Sequence, residues 1–474
     1  MNEIEEIARL WIRAGFPESA LSRLSIVGEK RYYPSSFRVS SAATISIALS
    51  ALAASEIYHL RTGSANPVQL HRRDACIEFH SQNFYRSRAG EPPPGVWDPI
   101  SGLYETANGG HIRLHANFPH HKAGLLNLLN LPPNAERGDV AKALLTKDAF
   151  DFEDLATKSG MCAAACRSPS QWAGHPMGQH IQKTTQDMEY VPFNIQPQPN
   201  SPGGENHAPV SNLLNCLTGL RVLSFTRVLA GPIAGRTLAS HGADVLWITA
   251  PHLPSLPNVD PDTSRGKRTI QLDLRANDDL GTLKKLVQEA EVMIDAYRPG
   301  ALKAFGLDKD SLHALNPSLI FADVSAYGAT GPWANKRGFD SLLQTATGFN
   351  VTEAEFFGST TPKAMPVQAL DHATGYFAAF GILAALYRRY TDSATHPHVE
   401  VTLAWTAEWL RHLGHNSDET TELSEDDIAQ GTEEIAIGNN VSTFAKRAPI
   451  MEPRPSFSYY PQSLAEDEPV WLQR

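Results

Sequence analysis

The 474-residue chain carries 41 lysines and arginines against 51 aspartates and glutamates, a net charge of −10, with 42% hydrophobic and 8% aromatic residues. That composition fits a globular protein of two or three domains with ample core. It lacks the clustered basic residues of a nucleic-acid footprint, and its four cysteines are too few for a disulfide scaffold.

The first residues, MNEIEEIARLWIRAG, are amphipathic and acidic, unlike the basic start and apolar run of a secretory signal. The longest apolar stretch, residues 43–55, is rich in Ala and Ser and falls short of the roughly 18 residues of a membrane span. Cys76, Cys162, Cys166 and Cys216 show no paired metal-ligand spacing and point to a reducing compartment. The expectation is a soluble, cytoplasmic protein with neither membrane nor nucleic-acid partner.

An internal repeat comes next. Residues 43–79, ATISIALSALAASEIYHLRTGSANPVQLHRRDACIEF, resemble residues 373–410, ATGYFAAFGILAALYRRYTDSATHPHVEVTLAWTAEWL. Each copy reads as a small-residue helix, a polar turn, a short strand from Val68 or Val399, and another helix. Two places before the shared Ala-Thr stands Ser41 in one copy and Asp371 in the other. Further along, His115, His120 and His121 in HANFPHHK have neither a helical His-x-x-x-His spacing nor an acidic partner, so no metal is expected.

Residues 186–214, rich in Pro, Asn, Gln and Gly, read as a linker. It separates a first block (1–185) from a second (215–415), and a polar, Pro-rich tail (416–474) follows. In the second block, GLRVLSF, ADVLWIT, RTIQLDL, EVMIDAY and SLIFADVSAYG are strand candidates alternating with helical patterns, which predicts a doubly wound parallel α/β sheet. The turn TRVLAGPIAG leads from a strand into a helix, a place where backbone N–H groups meet phosphate. It is not a G-x-G-x-x-G fingerprint, and Gly231 and Gly235 also fit simple helix-to-strand packing. Arg265, Lys267 and Arg268 precede one strand and Arg298 follows another, where they can neutralise an anionic ligand or form solvated charge.

Asp340 and Gln344 lie four apart on one helical face, able to position an acyl group or each other, or to serve as a polar face or N-cap. Asp371 opens a helix apolar nearly all round, where free N–H groups and the helix terminus would keep its carboxylate ionised. It reads as an N-cap, a nucleophile toward an acyl carbonyl, or both. No G-x-S-x-G elbow is present, which removes a triad hydrolase.

Six segments in order, LTGLRVLSFTRVLAGPIAGRTLASHGADVLWI, RGKRTIQLDL, EVMIDAYRPGALKAFGLD, LNPSLIFADVSAYGATGPW, GFDSLLQTATGF and VQALDHATGYFAAFGILAALYRR, resemble the class III coenzyme A transferases, the superfamily of formyl-CoA transferase, carnitine CoA-transferase and α-methylacyl-CoA racemase. The resemblance implies a Rossmann-like domain plus a smaller α+β domain, acyl-CoA and carboxylic acid substrates without a tightly bound cofactor, and a homodimer. It assigns Asp371 as covalent nucleophile, beside which Asp340, Gln344 and His372 are read from their positions in the sequence as substrate-positioning residues. It places coenzyme A against Arg227, Val228, Leu229 and Ala230, against Arg265, Lys267 and Arg268, and against Ala296, Tyr297 and Arg298.

WDPISGLYETANGGHIRLHANF and RSPSQWAGHPMG resemble parts that follow the nucleophile helix in the family, so this chain presents the later half before the earlier one, with the connector helix duplicated. DPISG stands where some transferases carry a glycine-rich loop. Racemases are similar to a pattern with histidine before the aspartate at 340, here Phe339, while His372 beside Asp371 keeps a racemase in view. A non-catalytic CoA-binding subunit is the third alternative.

Overall fold

The computed structural model describes residues 2–28, 31–88, 91, 95–196, 213–391, 398–416 and 420–473. Helix α1 (Glu3–Arg13) opens on a capping box in which the Asn2 and Glu5 side chains satisfy each other's backbone N–H groups. Strand β1 (Leu24–Val27) leads to the long helix α2 (Val39–Thr62), then β2 (Val68–His71) and α3 (Arg72–Glu78). An antiparallel sheet of β3 (Gly102–Glu105), β4 (His111–Leu114) and β5 (Ala163–Ala165) follows, with α4 (Pro119–Leu128) between its last two strands.

Strand β6 (Phe193–Gln196) enters the main sheet. The second block then alternates as expected: β7 (Arg221–Phe225), α5 (Ala230–Ser240), β8 (Asp244–Thr249), β9 (Arg268–Gln271), β10 (Val292–Asp295) and β11 (Ile320–Ser325). Helices α6 (Asp340–Ala346) and α7 (Ala369–Thr391) precede β12 (His398–Thr402) and α8 (Leu403–His412). The tail forms a hairpin, β13 (Thr432–Ile437) and β14 (Asn440–Ala445), and a last strand, β15 (Pro449–Met451).

The seven-stranded sheet runs β6-β12-β11-β10-β7-β8-β9, parallel except for β6, which pairs antiparallel with β12. Apolar runs such as Val222–Phe225 and Val245–Thr249 are buried, as a sheet covered on both faces requires. Chain order reverses direction between β7 and β10, which are neighbours, and ligands in open α/β sheets bind in the crevice outside such a switch point.

Both copies of the repeat fold as read: α2–β2–α3 matches α7–β12–α8. Helices α2 and α7 are long and apolar enough to cross a membrane, yet both are buried in the protein, where they pack on one another. Their apolar surface is thereby used in helix packing.

Two expectations of chain organisation need correction. The 186–214 linker contains β6, an edge strand of the main sheet, although 197–212 lie outside the described residues. The Pro-rich tail is built into the fold: β15 pairs with β2, and the Gly266 N–H donates to the Tyr459 carbonyl. One hydrophobic core also takes residues from both blocks, so the boundary at 185 divides the sequence but not the packing.

Candidate active site

At the switch point the chain leaves β7 through Thr226 to Leu229 and enters α5. Val228 adopts a left-handed φ of 71°, and no side chain caps the start of α5, so first-turn N–H groups are free to meet a ligand. Gly231 is required here: a Cβ would lie 2.5 Å from the Ala296 Cβ and 2.8 Å from Thr226 Cγ2. A second close approach occurs at Gly375, where a Cβ would come within 2.6 Å of the Ala230 carbonyl oxygen. It brings α7 against α5, and with it Asp371 to the switch point.

These elements surround a cavity of about 450 Å³. Asp371 lines it, together with Arg227, Val228, Leu229 and Ala230 after β7 and with Ala296, Tyr297 and Arg298 after β10. Eight residues singled out from the sequence thus converge on one space. The first block supplies Phe118, His120 and His121 to the same wall, and Lys336, Arg337 and Phe339 complete it. Sequence reasoning missed these. In sequence the histidines carry only a metal-ligand pattern, and the basic pair just before the Asp340 helix is the signal that points to Lys336 and Arg337.

The cavity is cationic. Arg227 lies over the Phe118 ring at 4.5 Å and donates to the Pro254 carbonyl, and Arg337 contacts His121. Arg227, Arg298 and Arg337 have no carboxylate ion-pair partner among the described residues, whereas Lys336 pairs with Glu153 at 2.7 Å. Burial, then His120 and the nearby arginines, pushes His121 down to about 3, so its imidazole is neutral.

Asp371 is 6% exposed and lies inside the first turn of α7. The cap comes from elsewhere. Asp340, on α6 and fully buried, accepts the Leu370 N–H at 2.8 Å and the Asp371 N–H at 3.1 Å through one carboxylate oxygen, and takes the Gln344 amide on the other. Capping by another helix leaves the Asp371 side chain free for the cavity. Burial and then the Asp340 charge raise Asp371 well above the usual carboxylate range. The expected N-capping role of Asp371 is therefore taken by Asp340, and burial makes the Asp371 carboxyl harder to ionise than a free one. Residues 371–375 lie within α7.

Other sequence candidates lie away from the cavity. Asp340 and Gln344 position each other and α7 rather than a substrate. His372 is fully buried, with Nε2 on the Gln82 side-chain oxygen at 2.8 Å; one residue past Asp371, it sits on a different face of α7. The 265–268 turn does not reach the cavity either. Arg265 pairs with Asp262 at 2.6 Å and donates to the Ala445 carbonyl. Lys267 is fully buried, donating to the Pro232 carbonyl at 2.9 Å over the Trp247 ring. Arg268 pairs with Asp244 at 3.0 Å. Their charges are consumed by internal acceptors and so are not offered to phosphate.

With the geometry in place, comparison with known proteins is direct: residues 217–441 match CoA-transferase family III. That segment belongs to the family. Relatives include a probable fatty acyl-CoA transferase of Mycobacterium tuberculosis, 34% identical over 194 residues (38% of this chain, 49% of that protein). The succinate–glutarate CoA-transferase of Agrobacterium fabrum is 34% identical over 205 residues (40% and 50%). An acetyl-coenzyme A transferase of Hypoxylon pulicicidum is 27% identical over 338 residues (68% and 56%). The chain spans about half the length of these curated relatives. The Hypoxylon match is longer than the chain from residue 217 onward, so it reaches into the first block in the same chain order.

Proposed function

We propose that the protein moves coenzyme A from an acyl-CoA donor to a carboxylic acid, with Asp371 as the group that is acylated on the way. The observation that carries this reading is the Asp371 carboxyl on the wall of a cationic cavity at the sheet's switch point; the other carboxyl of that wall, Asp273, is paired with Arg275 at 2.6 Å. The Asp371 carboxylate attacks the donor thioester carbonyl, breaking the C–S bond and giving a mixed anhydride and CoA thiolate. The thiolate attacks the aspartyl carbonyl of the anhydride, forming an aspartyl-CoA thioester and releasing the donor as a carboxylate. An acceptor carboxylate then attacks the aspartyl thioester, giving a second anhydride and CoA thiolate, and thiolate attack on the acceptor carbonyl yields the new acyl-CoA and frees Asp371. Each step keeps an activated acyl bond, so no ATP is consumed.

The cavity meets the demands of this route. Arg227, Arg298 and Arg337 offer positive charge to the phosphates of coenzyme A and to thiolate. The uncapped N–H groups of Ala230 and Gly231 face the space where an oxyanion forms. Partial enclosure by residues of the first block limits hydrolysis of the anhydride. Epimerisation would need a second base across the substrate α-carbon; His372, the base the sequence offered, is engaged with Gln82 and stands off the cavity, and Phe339 occupies the place before Asp340, which leaves His120 and His121 as the histidines of the cavity wall.

An exchange screen, with isotopically labelled CoA thioesters and mixed carboxylic acids read by mass spectrometry, tests the proposal. Labelled CoA should move to an acceptor acid, and Asp371→Asn should lower the rate by about a thousandfold or more while CoA binding persists. Solvent deuterium at the α-carbon of a chiral 2-methylacyl-CoA without CoA exchange would instead assign a racemase, and failure across a broad panel would favour a non-catalytic CoA-binding subunit.

A further inference from the structure

The first block meets α6 through one face of its three-stranded sheet. Arg113 on β4 stands directly opposite Ala164 on β5, and residues directly opposed across two strands share a face. Ala164 packs with Leu342 and Ala346 of α6, whereas Ile112 and Leu114 belong to a separate core on the other face. Two residues on from Arg113, His115 stacks on Phe339 at 3.9 Å between ring centroids, immediately before Asp340. Alternation along the strand therefore turns Arg113 toward the start of α6.

Arg113 makes no ion pair or hydrogen bond among the described residues. Its Nε is buried without an acceptor, and its guanidinium lies 5.2 Å from the centre of the Trp97 ring. Asp340 is the complementary case, a fully buried carboxyl with no ion pair among the described residues. The Leu370 and Asp371 N–H groups and the Gln344 amide all donate to it, which suits an acceptor-only, ionised group. Burial opposes the charge on each, and each charge favours the other. The remaining charges around α6 are otherwise engaged: Glu153 with Arg167 and Lys336, Glu408 with Arg411, and Glu353 with the Ser35 and Ser36 hydroxyls. Arg137, a like charge, also acts on Arg113, and Arg227, Arg298 and Arg337 line the cavity with Asp371. His115 and His121 are both pushed down to about 3, by burial first, and His372 well below its usual value, so none of the three gains charge near neutral pH.

We propose that Arg113 is a positioning residue of the site: it is the first block's counter-charge to Asp340 and lets the cap and the Asp371 carboxyl be ionised together. The activity arm of the test rests on the transferase reading. Exchange and thermal unfolding are followed against pH in the natural protein, in Arg113→Gln and Arg113→Lys, and in Asp340→Asn with and without Arg113→Gln. The competent state has both carboxyls ionised, so Arg113→Gln should cut CoA exchange about tenfold at about pH 5 and little at about pH 8. A carboxyl raised further in the folded state takes away more stability as pH climbs through its range. The unfolding midpoint of Arg113→Gln should therefore fall further between about pH 4 and about pH 8 than that of the natural protein. Arg113→Lys, which keeps the charge, should recover both profiles, and in the Asp340→Asn background Arg113→Gln should change neither. Profiles that do not move with Arg113→Gln, a loss equal at every pH, one that Arg113→Lys fails to recover, or one that persists in the Asp340→Asn background each overturn the proposal. If the natural protein exchanges no CoA, the transferase reading fails and the unfolding arm alone decides the assignment of Arg113.

Discussion

Asp371 and Asp340 form a buried carboxyl pair that shares one hydrogen-bonded frame, and the cost of charging both governs how the site responds to pH. Both folded-state carboxyls titrate above their unfolded values, by burial first. Their contribution to stability is thus complete at low pH and is lost as pH rises through the folded-state range. Asp371→Asn removes the second charge. Its thermal unfolding midpoint should exceed that of the natural protein at about pH 8, reflecting a gain in unfolding free energy on the order of 2 kcal/mol, with little gain near pH 4. An unchanged or lowered midpoint at the higher pH would contradict the pairing. Among the cations, Arg298→Ala should raise KM for acyl-CoA about tenfold with kcat nearly unchanged, whereas Arg268→Ala should leave KM alone and cost about 1–3 kcal/mol of stability, since it breaks a mostly buried two-point pair with Asp244. Steady-state kinetics of the two variants side by side separates cavity charge from structural charge. That distinction was not legible in the sequence. The clustering of 265–268 is visible there, but Asp262, Asp244 and the carbonyls that consume those charges are assembled only by folding.

At the scale of elements, α7 starts under a cap supplied by α6, and this joins the stability of the helix start to the ionisation of Asp371. Asp340→Asn keeps an acceptor oxygen for the Leu370 and Asp371 N–H groups but removes the like charge beside Asp371. The acidic limb of the exchange pH profile should therefore shift to lower pH, since Asp371 ionises more readily without a neighbouring anion, while KM changes little. A limb that stays in place would mean that Asp340 does not tune the nucleophile. Strands β7 to β11 were readable because buried parallel strands are nearly continuous apolar runs bounded by turns. Strand β6 was not, since Phe193–Gln196 lies within linker-like composition and owes its form to pairing with β12. The Pro449–Met451 strand was hidden for the same reason: its partner β2 lies far away in sequence.

Over the whole molecule, the first block closes the cavity of the second through a buried ion cluster. Glu153 accepts from Lys336 at 2.7 Å and pairs with Arg167, whose own N–H donates to the Thr345 carbonyl. Lys336 and Arg167 hold the Glu153 carboxyl below its usual range against the burial that would raise it. Glu153→Gln leaves two buried cations without their anion, so it should cost about 3 kcal/mol or more. Because Lys336 lines the cavity, KM for acyl-CoA should change as well, and a calorimetric scan with parallel kinetics checks both. The repeat, and the residues Asp371 and 227–230 that meet at the cavity, were all legible in sequence. The contribution of Phe118, His120 and His121 was not, because periodicity describes elements and not which block will fold over which.

The most direct measurement is chemical. The protein is incubated with a donor acyl-CoA, quenched with hydroxylamine, digested and read by peptide mass spectrometry. A donor-dependent hydroxamate at Asp371, absent in Asp371→Asn, is the expected result. CoA exchange that proceeds with no adduct at residue 371, or with the adduct on another side chain, would contradict the assignment of the nucleophile.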